Sequence, residues 1–488
     1  SQGIWSGGCK MNRIEELTYL TIQEASHLIA RKEISPVELT RACLERIDRI
    51  DPLINSFITV VPWIAMEQAR RAEAELLHGD RRGPLHGIPL ALKDLFETAG
   101  IQTTAGSRLF AEYVPGRDAV VVQKLLVAGA ILLGKLNLHE IALGVTNENP
   151  HFGVCRNPWD FRRMSGGSSG GSAAALAAGL CLGSLGSDSG GSIRIPASLC
   201  GVVGLKPTYG RVSLRGVMPL SWNLDHVGPM GRSVSDVAHL LQVIAGYDAD
   251  DPVSADVPVG DYLTSIEAGV HRWRIALLTG EYVESADSQI LLAVQQAAGV
   301  MESLGASVEE VELTFLPRAA QSNSLMVTSD AAAVYQERMK SRPEDFGIDV
   351  LKRLLTGAAY TSTEYVLARR TQSLVKRQME MFFKHFDLLI LPTTPLLAPP
   401  LQALDAVERA RQLTRFTSPF NLSGLPVISL PCGFAREGKV ELPVGLQMAA
   451  PAWGEVRLLR AAYAYEQSTS WKDRKPDLQP PNVEEQTL

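Results

Sequence analysis

Of the 28 residues from Ser165 to Ser192, nine are glycine and eight are serine. They gather in two clusters, Gly166-Gly-Ser-Ser-Gly-Gly-Ser172 and Gly186-Ser-Asp-Ser-Gly-Gly-Ser-Ile-Arg194, on either side of Ala173-Ala-Ala-Leu-Ala-Ala-Gly-Leu-Cys-Leu182. Such a Gly/Ser density in isolation marks a flexible linker. A linker has no use for an uncharged run that is apolar on all sides, and this run is too short to span a bilayer. It belongs in a core. The clusters at its ends are then tight turns pinned to a buried element, where glycine permits left-handed or closely approaching backbone. Serine hydroxyls presented on such turns suit nucleophilic acyl transfer, which also requires a base, a proton donor for the leaving group and a site for the oxyanion.

Two local motifs compete for these residues. Gly166-Gly-Ser-Ser-Gly170 satisfies G-x-S-x-G, which makes Ser168 the nucleophile of an α/β-hydrolase-type esterase served by a downstream Asp and His. The candidate histidines are His226, His239, His271 and His385. None lies in a turn-like context near the C-terminal strands, and this reading leaves the second cluster unused. A phosphate-cradling loop needs Gly-Lys-Ser/Thr after its glycines, which does not follow here.

Taken together, the two clusters resemble the amidase signature family, and the resemblance runs from about Leu85 to Gln467. In that family a Lys, a Ser on a cis peptide and a nucleophilic Ser form a catalytic triad. Matched position by position, the nucleophile falls on Ser192, the cis-Ser on Ser168, 24 residues earlier, and the Lys on Lys93, a further 75 residues back in Leu85-His-Gly-Ile-Pro-Leu-Ala-Leu-Lys-Asp94. The resemblance further implies an oxyanion hole built from Ser189, Gly190, Gly191 and Ser192, with Asp188, Arg194 and Ser169 supporting the loops. It implies no cofactor and no metal, and a monomer or homodimer.

A lysine serves as base only when neutral. Lowering its pKa from about 10.4 to near 7 requires about 4 kcal/mol of differential interaction, from burial or a neighbouring positive charge. Lys93 ends the apolar run Ile-Pro-Leu-Ala-Leu, where such burial is expected. Ser168 must accept from one partner while donating to the other, which fixes its backbone tightly.

Within the family the closest phrases, such as Val203-Gly-Leu-Lys-Pro-Thr-Tyr-Gly-Arg-Val-Ser213, are similar to those of the glutaminase component of a tRNA-dependent amidotransferase. That component holds the charged ends of glutamine with an Arg and an Asp. Aligned on Pro392-Thr-Thr-Pro395 and Pro419-Phe-Asn-Leu422, those positions carry Gln372 and Thr414 here. Losing both charges removes the pairing that a zwitterion needs. Nearby Leu325, Met326, Phe416 and Phe420 suggest an apolar acyl or aryl site. The expectation is a stand-alone amidase on hydrophobic or aryl amides through an acyl-enzyme on Ser192. A urethanase, an esterase and the glutaminase component of an amidotransferase stay open as alternatives.

The elements that must position these residues read as α/β. Thr21-Ile-Gln-Glu24 and Ser35-Pro-Val-Glu38 are capping boxes, the second with Pro at the first helical position, and a further helix is expected over 62–77. From Leu85 onward short apolar runs alternate with helical stretches: 88–92, 130–133, 182–185, 202–205, 273–278, 307–313, 386–395, 426–431 and 443–447 for strands, 119–128 and 234–244 for helices. The pattern predicts a single large domain over 21–471 with a central mixed sheet flanked by helices on both faces. Within it, 21–82 is a helical flank and 250–380 a variable, substrate-side region; 1–20 reads as a disordered leader and 472–488 as a polar tail. A net charge of −6 argues against a nucleic-acid or anionic-membrane surface, so the expected partner is a small-molecule amide, carbamate or ester. Six scattered cysteines without CxxC indicate neither zinc nor disulfides, and with no signal peptide or membrane span the protein is expected in the cytoplasm.

Overall fold

The short apolar runs are extended in the structure, a computed structural model that describes residues 7–402 and 405–479. In chain order the strands are β1 (Phe57–Val60), β2 (Pro89–Lys93), β3 (Ile131–Leu136), the short β4 (Glu148–Asn149), β5 (Gly153–Val154), β6 (Arg156–Asn157) and β7 (Asp160–Met164), then β8 (Gly183–Ser187), β9 (Val203–Lys206) and β10 (Val227–Gly231). The C-terminal part adds β11 (Arg274–Leu278), β12 (Ser307–Val311), β13 (Leu388–Pro392), β14 (Val427–Glu437) and β15 (Val440–Ala449). Eleven of them form one sheet in the order β1-β3-β2-β8-β10-β9-β14-β15-β13-β11-β12, while β4–β5 and β6–β7 are separate ribbons. The sheet is mixed. β3, β2 and β8 are mutually parallel, as are β13, β11 and β12, and the pairings between these two parallel blocks are antiparallel.

Every residue of β2, β3, β8, β9, β10 and β13 is buried, which requires cover on both faces. The edge strand β12 is different. Its Glu309 and Glu310 are exposed, a charged edge that discourages further pairing. Among the described residues no helix is long and apolar enough to cross a membrane.

Each of the nine expected runs overlaps a strand without matching both of its ends, but β1 and β10 had no clear signal. β10 reads Val-Gly-Pro-Met-Gly, and proline argues against a central strand. It is tolerated because β9 pairs only with Met230 and Gly231, so that ladder has ended before Pro229. The Thr21–Glu24 capping box closes in both directions, starting the helix Ile22–Ala30. At the second box only half forms. Ser35 accepts from Glu38 N–H at 3.1 Å and Pro36 opens the helix Pro36–Ile54, but the Glu38 carboxylate pairs with Arg13 instead.

The stretch expected as a disordered leader contains a helix, Gly7–Thr18; residues 1–6 lie outside the described residues. The start of the tail is docked, with Arg474 paired to Glu441 and Lys475 Nζ 4.2 Å over the Tyr19 ring, while 480–488 lie outside the described residues. Cys181 and Cys200 are wholly buried, and burial pushes the Cys181 thiol up to about 12, so it is inert at neutral pH.

The apolar run between the two Gly/Ser clusters begins with the helix Gly170–Ala177, buried at every residue. A Cβ on Gly171 would meet Asn137 O at 2.4 Å, Asn137 N at 2.6 Å and Ser56 O at 2.6 Å. These are backbone atoms and do not swing aside. Gly171→Ala is therefore expected to destabilise the protein by about 1–3 kcal/mol or more despite the better helix propensity of alanine. By contrast, Gly299→Ala, in the helix Ser288–Ser303 with open space around the position, should stabilise by up to about 1 kcal/mol. Thermal midpoints of the two variants check the opposite signs; a rise in both would show that the buried helix has room to spare.

Candidate active site

β2 and β8 are parallel neighbours, registered Leu90 to Gly183 and Leu92 to Leu185, so their C-terminal ends lie side by side. Lys93 is the last residue of one and Ser187 of the other. Ligands of open α/β sheets bind outside such strand ends. The two Gly/Ser clusters converge there: Ser165–Ser169 enters the helix Gly170–Ala177, and Asp188–Ile193 follows β8 into the helix Arg194–Cys200. They clasp each other through Ser169 N–H, which donates to Ser192 O at 3.1 Å. The peptide between Gly167 and Ser168 is cis.

Three lysines in this region are wholly buried, and their partners tell them apart. Lys135 has a carboxylate, Asp94 Oδ1 at 2.9 Å, and keeps its charge paired. Lys206 donates to the carbonyls of Pro207 and Leu425. Lys93 meets only hydroxyls: Ser168 Oγ at 2.7 Å, Ser187 Oγ at 2.8 Å and Ser169 Oγ at 3.0 Å. Hydroxyls can donate as well as accept, so this shell serves a neutral amine as well as an ammonium. Burial lowers the Lys93 pKa to about 7, against the opposing pull of Asp188 and Asp225. As a neutral amine, Lys93 has a lone pair for one hydroxyl proton and two N–H groups for the other oxygens.

The turn after β8 is built around Asp188 and Arg194, both wholly buried. Arg194 Nε and Nη2 each donate to the Asp188 carboxylate at 3.0 Å; the remaining N–H groups go to Asn421 Oδ1, Thr417 O and Gln447 Oε1. Burial pushes the Asp188 carboxyl up, but Arg194 and Asn421 outweigh it and hold the group well below the usual carboxylate range. Side chains also hold three successive carbonyls. Asn421 donates to Asp188 O at 2.9 Å, Asn323 to Ser189 O at 3.3 Å and Thr417 to Gly190 O at 2.7 Å. In a trans peptide the following N–H points the opposite way, so the N–H groups of Ser189 and Gly190 turn away from these supports.

Of the four residues expected to form an oxyanion hole, one is diverted. Gly191 N–H donates to Asp188 Oδ1 at 2.7 Å. Its φ of +136° and the 2.2 Å between a would-be Cβ and Thr417 Oγ1 require glycine there, so its role is to let the turn close. Ser189, Gly190 and Ser192 keep N–H groups without a protein acceptor among the described residues. The Ser189 hydroxyl donates to Asp225 Oδ1 at 2.6 Å, and burial pushes the Asp225 carboxyl up to about 6.

Accessibility separates the two serines. Ser168 is 0% exposed and held by Lys93, whereas Ser192 is 7% exposed and lines a cavity of about 190 Å³ together with Ser189 and Gly190. The histidine base required by the G-x-S-x-G reading is missing: among the described residues no histidine hydrogen-bonds to Ser168 or Ser192. His226 Nδ1 is engaged by Leu224 O at 2.7 Å, and burial holds its pKa well below the ordinary value.

The expected substrate contacts divide. Thr414 lines the cavity. Gln372 does not; its amide donates to Leu422 O and accepts from Arg369. Phe416 and Phe420 are also outside, wholly buried in an apolar core with Leu316 and Met326. The apolar wall comes instead from Leu143, Val145, Leu220, Val327 and Ala410. Sequence reasoning also missed Ser187, although it lies inside the second cluster, and Asn421, although it lies in the Pro-Phe-Asn-Leu run. Asp225, Asn323 and Thr417 carried no local signal.

Comparisons with known proteins place the chain among related sequences and folds. A family model described as Amidase matches residues 38–459. The A subunit of glutamyl-tRNA(Gln) amidotransferase from Moorella thermoacetica is 41% identical over 487 residues, covering 95% of this chain and 99% of the relative. Among solved structures, a chain of an inhibitor-bound vestigial protein complex, described as revealing the evolutionary origins of an s-triazine catabolic enzyme, superposes with a TM-score of 0.87 at 33% identity, covering 92% of this chain and 99% of that one. A bacterial aryl acylamidase gives 0.86 at 27% identity, covering 94% and 98%.

The shell of Lys93 generates a pH test. If its neutral form is the base, kcat/KM rises with pH along a single limb with a midpoint near 7 and then levels off. Lys93→Arg should restore nothing, because a guanidinium stays protonated. Lys93→Ala should depress amide hydrolysis more than that of activated esters, whose leaving groups need little protonation. Equal losses on both, with the pH limb intact, would make Lys93 structural.

Proposed function

The chain belongs to the amidase family of enzymes that hydrolyse carbon–nitrogen bonds, and we propose that it does so through an acyl-enzyme on Ser192, with Ser168 and Lys93 as the proton relay. The observation that carries this reading is the hydroxyl-only shell of the buried Lys93 beneath the one serine of the three groups that reaches the cavity. Ser192 Oγ attacks the carbonyl carbon as its proton passes to Ser168, whose own proton passes to Lys93. The oxyanion forms toward the N–H groups of Ser189, Gly190 and Ser192. The proton then returns along the same path to the leaving nitrogen, the C–N bond breaks, and water repeats the sequence on the acyl-enzyme. No hydrogen bond joins Ser168 Oγ to Ser192 Oγ among the described residues; catalytic contacts of this kind commonly tighten only with substrate bound.

For the substrate we favour a hydrophobic or aryl amide. Support comes from the aliphatic wall and from the absence of any Asp or Glu among the described residues lining the cavity, which leaves the ammonium of a free amino acid without a carboxylate partner there. Aryl carbamates and esters present the same carbonyl to the same serine. Kinship weighs more heavily for a second reading: relatives matched over nearly the whole chain are named as the A subunit of glutamyl-tRNA(Gln) amidotransferase, which makes glutamine the substrate and further subunits the partners. The helices Leu316–Val334 and Ile348–Ala359, which carry Asn323, Val327 and Thr356 into the cavity wall, support a substrate-side role for the 250–380 region.

Two measurements test these readings. A fluorophosphonate should label Ser192, and Ser192→Ala should lose several orders of magnitude in activity while staying folded; labelling of Ser168 with Ser192 spared would return the nucleophile to the G-x-S-x-G motif. A panel of p-nitroanilides, aryl carbamates, esters and free glutamine should show turnover of the anilides by the purified chain alone. Glutamine hydrolysis that appears only with partner subunits, and no anilide turnover, would decide for the amidotransferase.

A further inference from the structure

Ser189 lies directly across from Asp225. β8 and β10 pair antiparallel with Ser187 opposite Val227, and the ladder runs on for one more pair, Asp188 and His226, which exchange both backbone hydrogen bonds at 2.8 and 3.1 Å. In an antiparallel ladder the next pair is not hydrogen-bonded, so its side chains come closest and its N–H groups point away from the partner strand. Ser189 and Asp225 occupy that position. The Ser189 N–H is accordingly without a protein acceptor among the described residues, and the Ser189 hydroxyl donates to Asp225 Oδ1 at 2.6 Å, the length of a charge-assisted O–H···O⁻ bond. The other Asp225 oxygen accepts from Leu220 N–H at 2.9 Å and from Ser221 N–H at 3.0 Å. That segment is fixed in its turn. Ser221 Oγ donates at 2.6 Å to Asp330 Oδ2, on the helix Leu316–Val334, and Tyr335 Oη donates to Pro219 O at 3.2 Å.

Ser189 Cα is the pivot between two peptides, one carrying the Ser189 N–H and the other the Gly190 N–H. The second is held from behind by Asn323 at a longer 3.3 Å. From this arrangement we propose that Asp225 is a positioning residue for the reaction: it acts through the Ser189 hydroxyl to hold the Ser189 and Gly190 N–H groups on the oxyanion, and it lies outside the cavity lining itself. A bare charge at this place works against the chemistry. It stabilises the ammonium form of Lys93, as Asp188 does, and it disfavours a second negative charge nearby. Asp188 is offset by Arg194, whereas Asp225 has the neighbouring carboxylate of Asp330 and, among the described residues, no cation within ion-pair distance. The benefit of Asp225 therefore lies in its tether, and charge and tether have opposite, separable effects. The inference rests on the Ser192 reading above, which supplies the oxyanion.

Asp225→Asn tests both effects, since it keeps the size of the side chain but leaves one amide oxygen for three donors. For the amide turned over fastest in the panel above, kcat on the alkaline plateau should fall about tenfold with KM little changed, because the oxyanion exists only in the transition state. The midpoint of the pH limb should meanwhile move to lower pH, since the ammonium of Lys93 loses a stabilising charge. Ser189→Ala should lower plateau kcat by a similar factor, and Ser189→Thr, which keeps the hydroxyl, should recover most of it. The double variant Ser189→Ala with Asp225→Asn should lose no more than the worse single one. Additive losses in the double variant, or an unchanged plateau kcat in Ser189→Ala, would overturn the role of Asp225 while leaving Ser192 as nucleophile. Should Asp225→Asn not fold, the two Ser189 variants decide, read also by affinity for a trifluoromethyl ketone whose adduct on Ser192 is an oxyanion: Ser189→Ala should weaken it in step with kcat and Ser189→Thr should not. Full turnover in Ser192→Ala would instead remove the Ser192 reading and the role of Asp225 together.

Discussion

The buried pair between Asp188 and Arg194 sets the geometry on which the rest of the site depends. Two charges taken fully out of water are expensive, and the expense is met only when every remaining lone pair and proton finds a partner. Here all five guanidinium N–H groups are used, and the carboxylate also accepts from Gly191 N–H, Ile193 N–H and Asn421. The partners come from the end of β8, from β15 through Gln447 and from the helix Ser418–Ser423 through Asn421, so one ion pair locks three distant segments. Replacing either partner alone would leave the other charge buried without compensation, a loss of about 3–5 kcal/mol in comparable cases. What the pair secures is a turn whose carbonyls are held by protein side chains and whose N–H groups without an acceptor among the described residues belong to residues lining the cavity.

The same economy of charge explains why one lysine is suited to chemistry and its neighbours are not. Lys135 and Lys93 are both wholly buried on adjacent parallel strands. Lys135 sits against Asp94, which stabilises the ammonium. The nearest oxygens of Lys93 belong to three serines, which leave its burial uncompensated and its pKa about 7. The acids that do act on it, Asp188 and Asp225, are each committed elsewhere, to Arg194 and to the Ser189 hydroxyl. The basicity of the proposed base is thus set by withholding a counter-ion.

Chemistry and recognition come from different parts of the chain. The ends of β2 and β8 with their turns hold the proposed nucleophile and relay, while the opposite wall of the cavity is contributed by helices between Leu316 and Leu413. Helices that pack on a fixed sheet end can change their inward side chains without disturbing the turn beneath. This division accounts for relatives and neighbours that share the fold across nearly the whole chain and carry names as different as an aryl acylamidase and a component of a tRNA-dependent amidotransferase.

The sequence by itself determined what depends on near neighbours. Nine strand runs, the capping box at Thr21, the buried run after Ala173 and the two serine turns were all legible, because propensity, hydrophobic pattern and glycine placement act over a few residues. The resemblance carried by those turns also singled out Lys93, Ser168 and Ser192. Local pattern failed at β10, where Pro229 speaks against a central strand and only the short reach of β9 allows it. It failed again at Gly191, whose N–H looks free in the sequence but is taken by Asp188, and at Gln372, Phe416 and Phe420, which lie close to the site along the chain yet face the core. Which N–H groups stay unpaired and which side chains reach the cavity were decided by the tertiary structure alone. Both are set by packing and hydrogen bonding between segments more than 200 residues apart, such as Arg194 with Asn421 and Gly190 with Thr417, and no local spacing encodes those meetings.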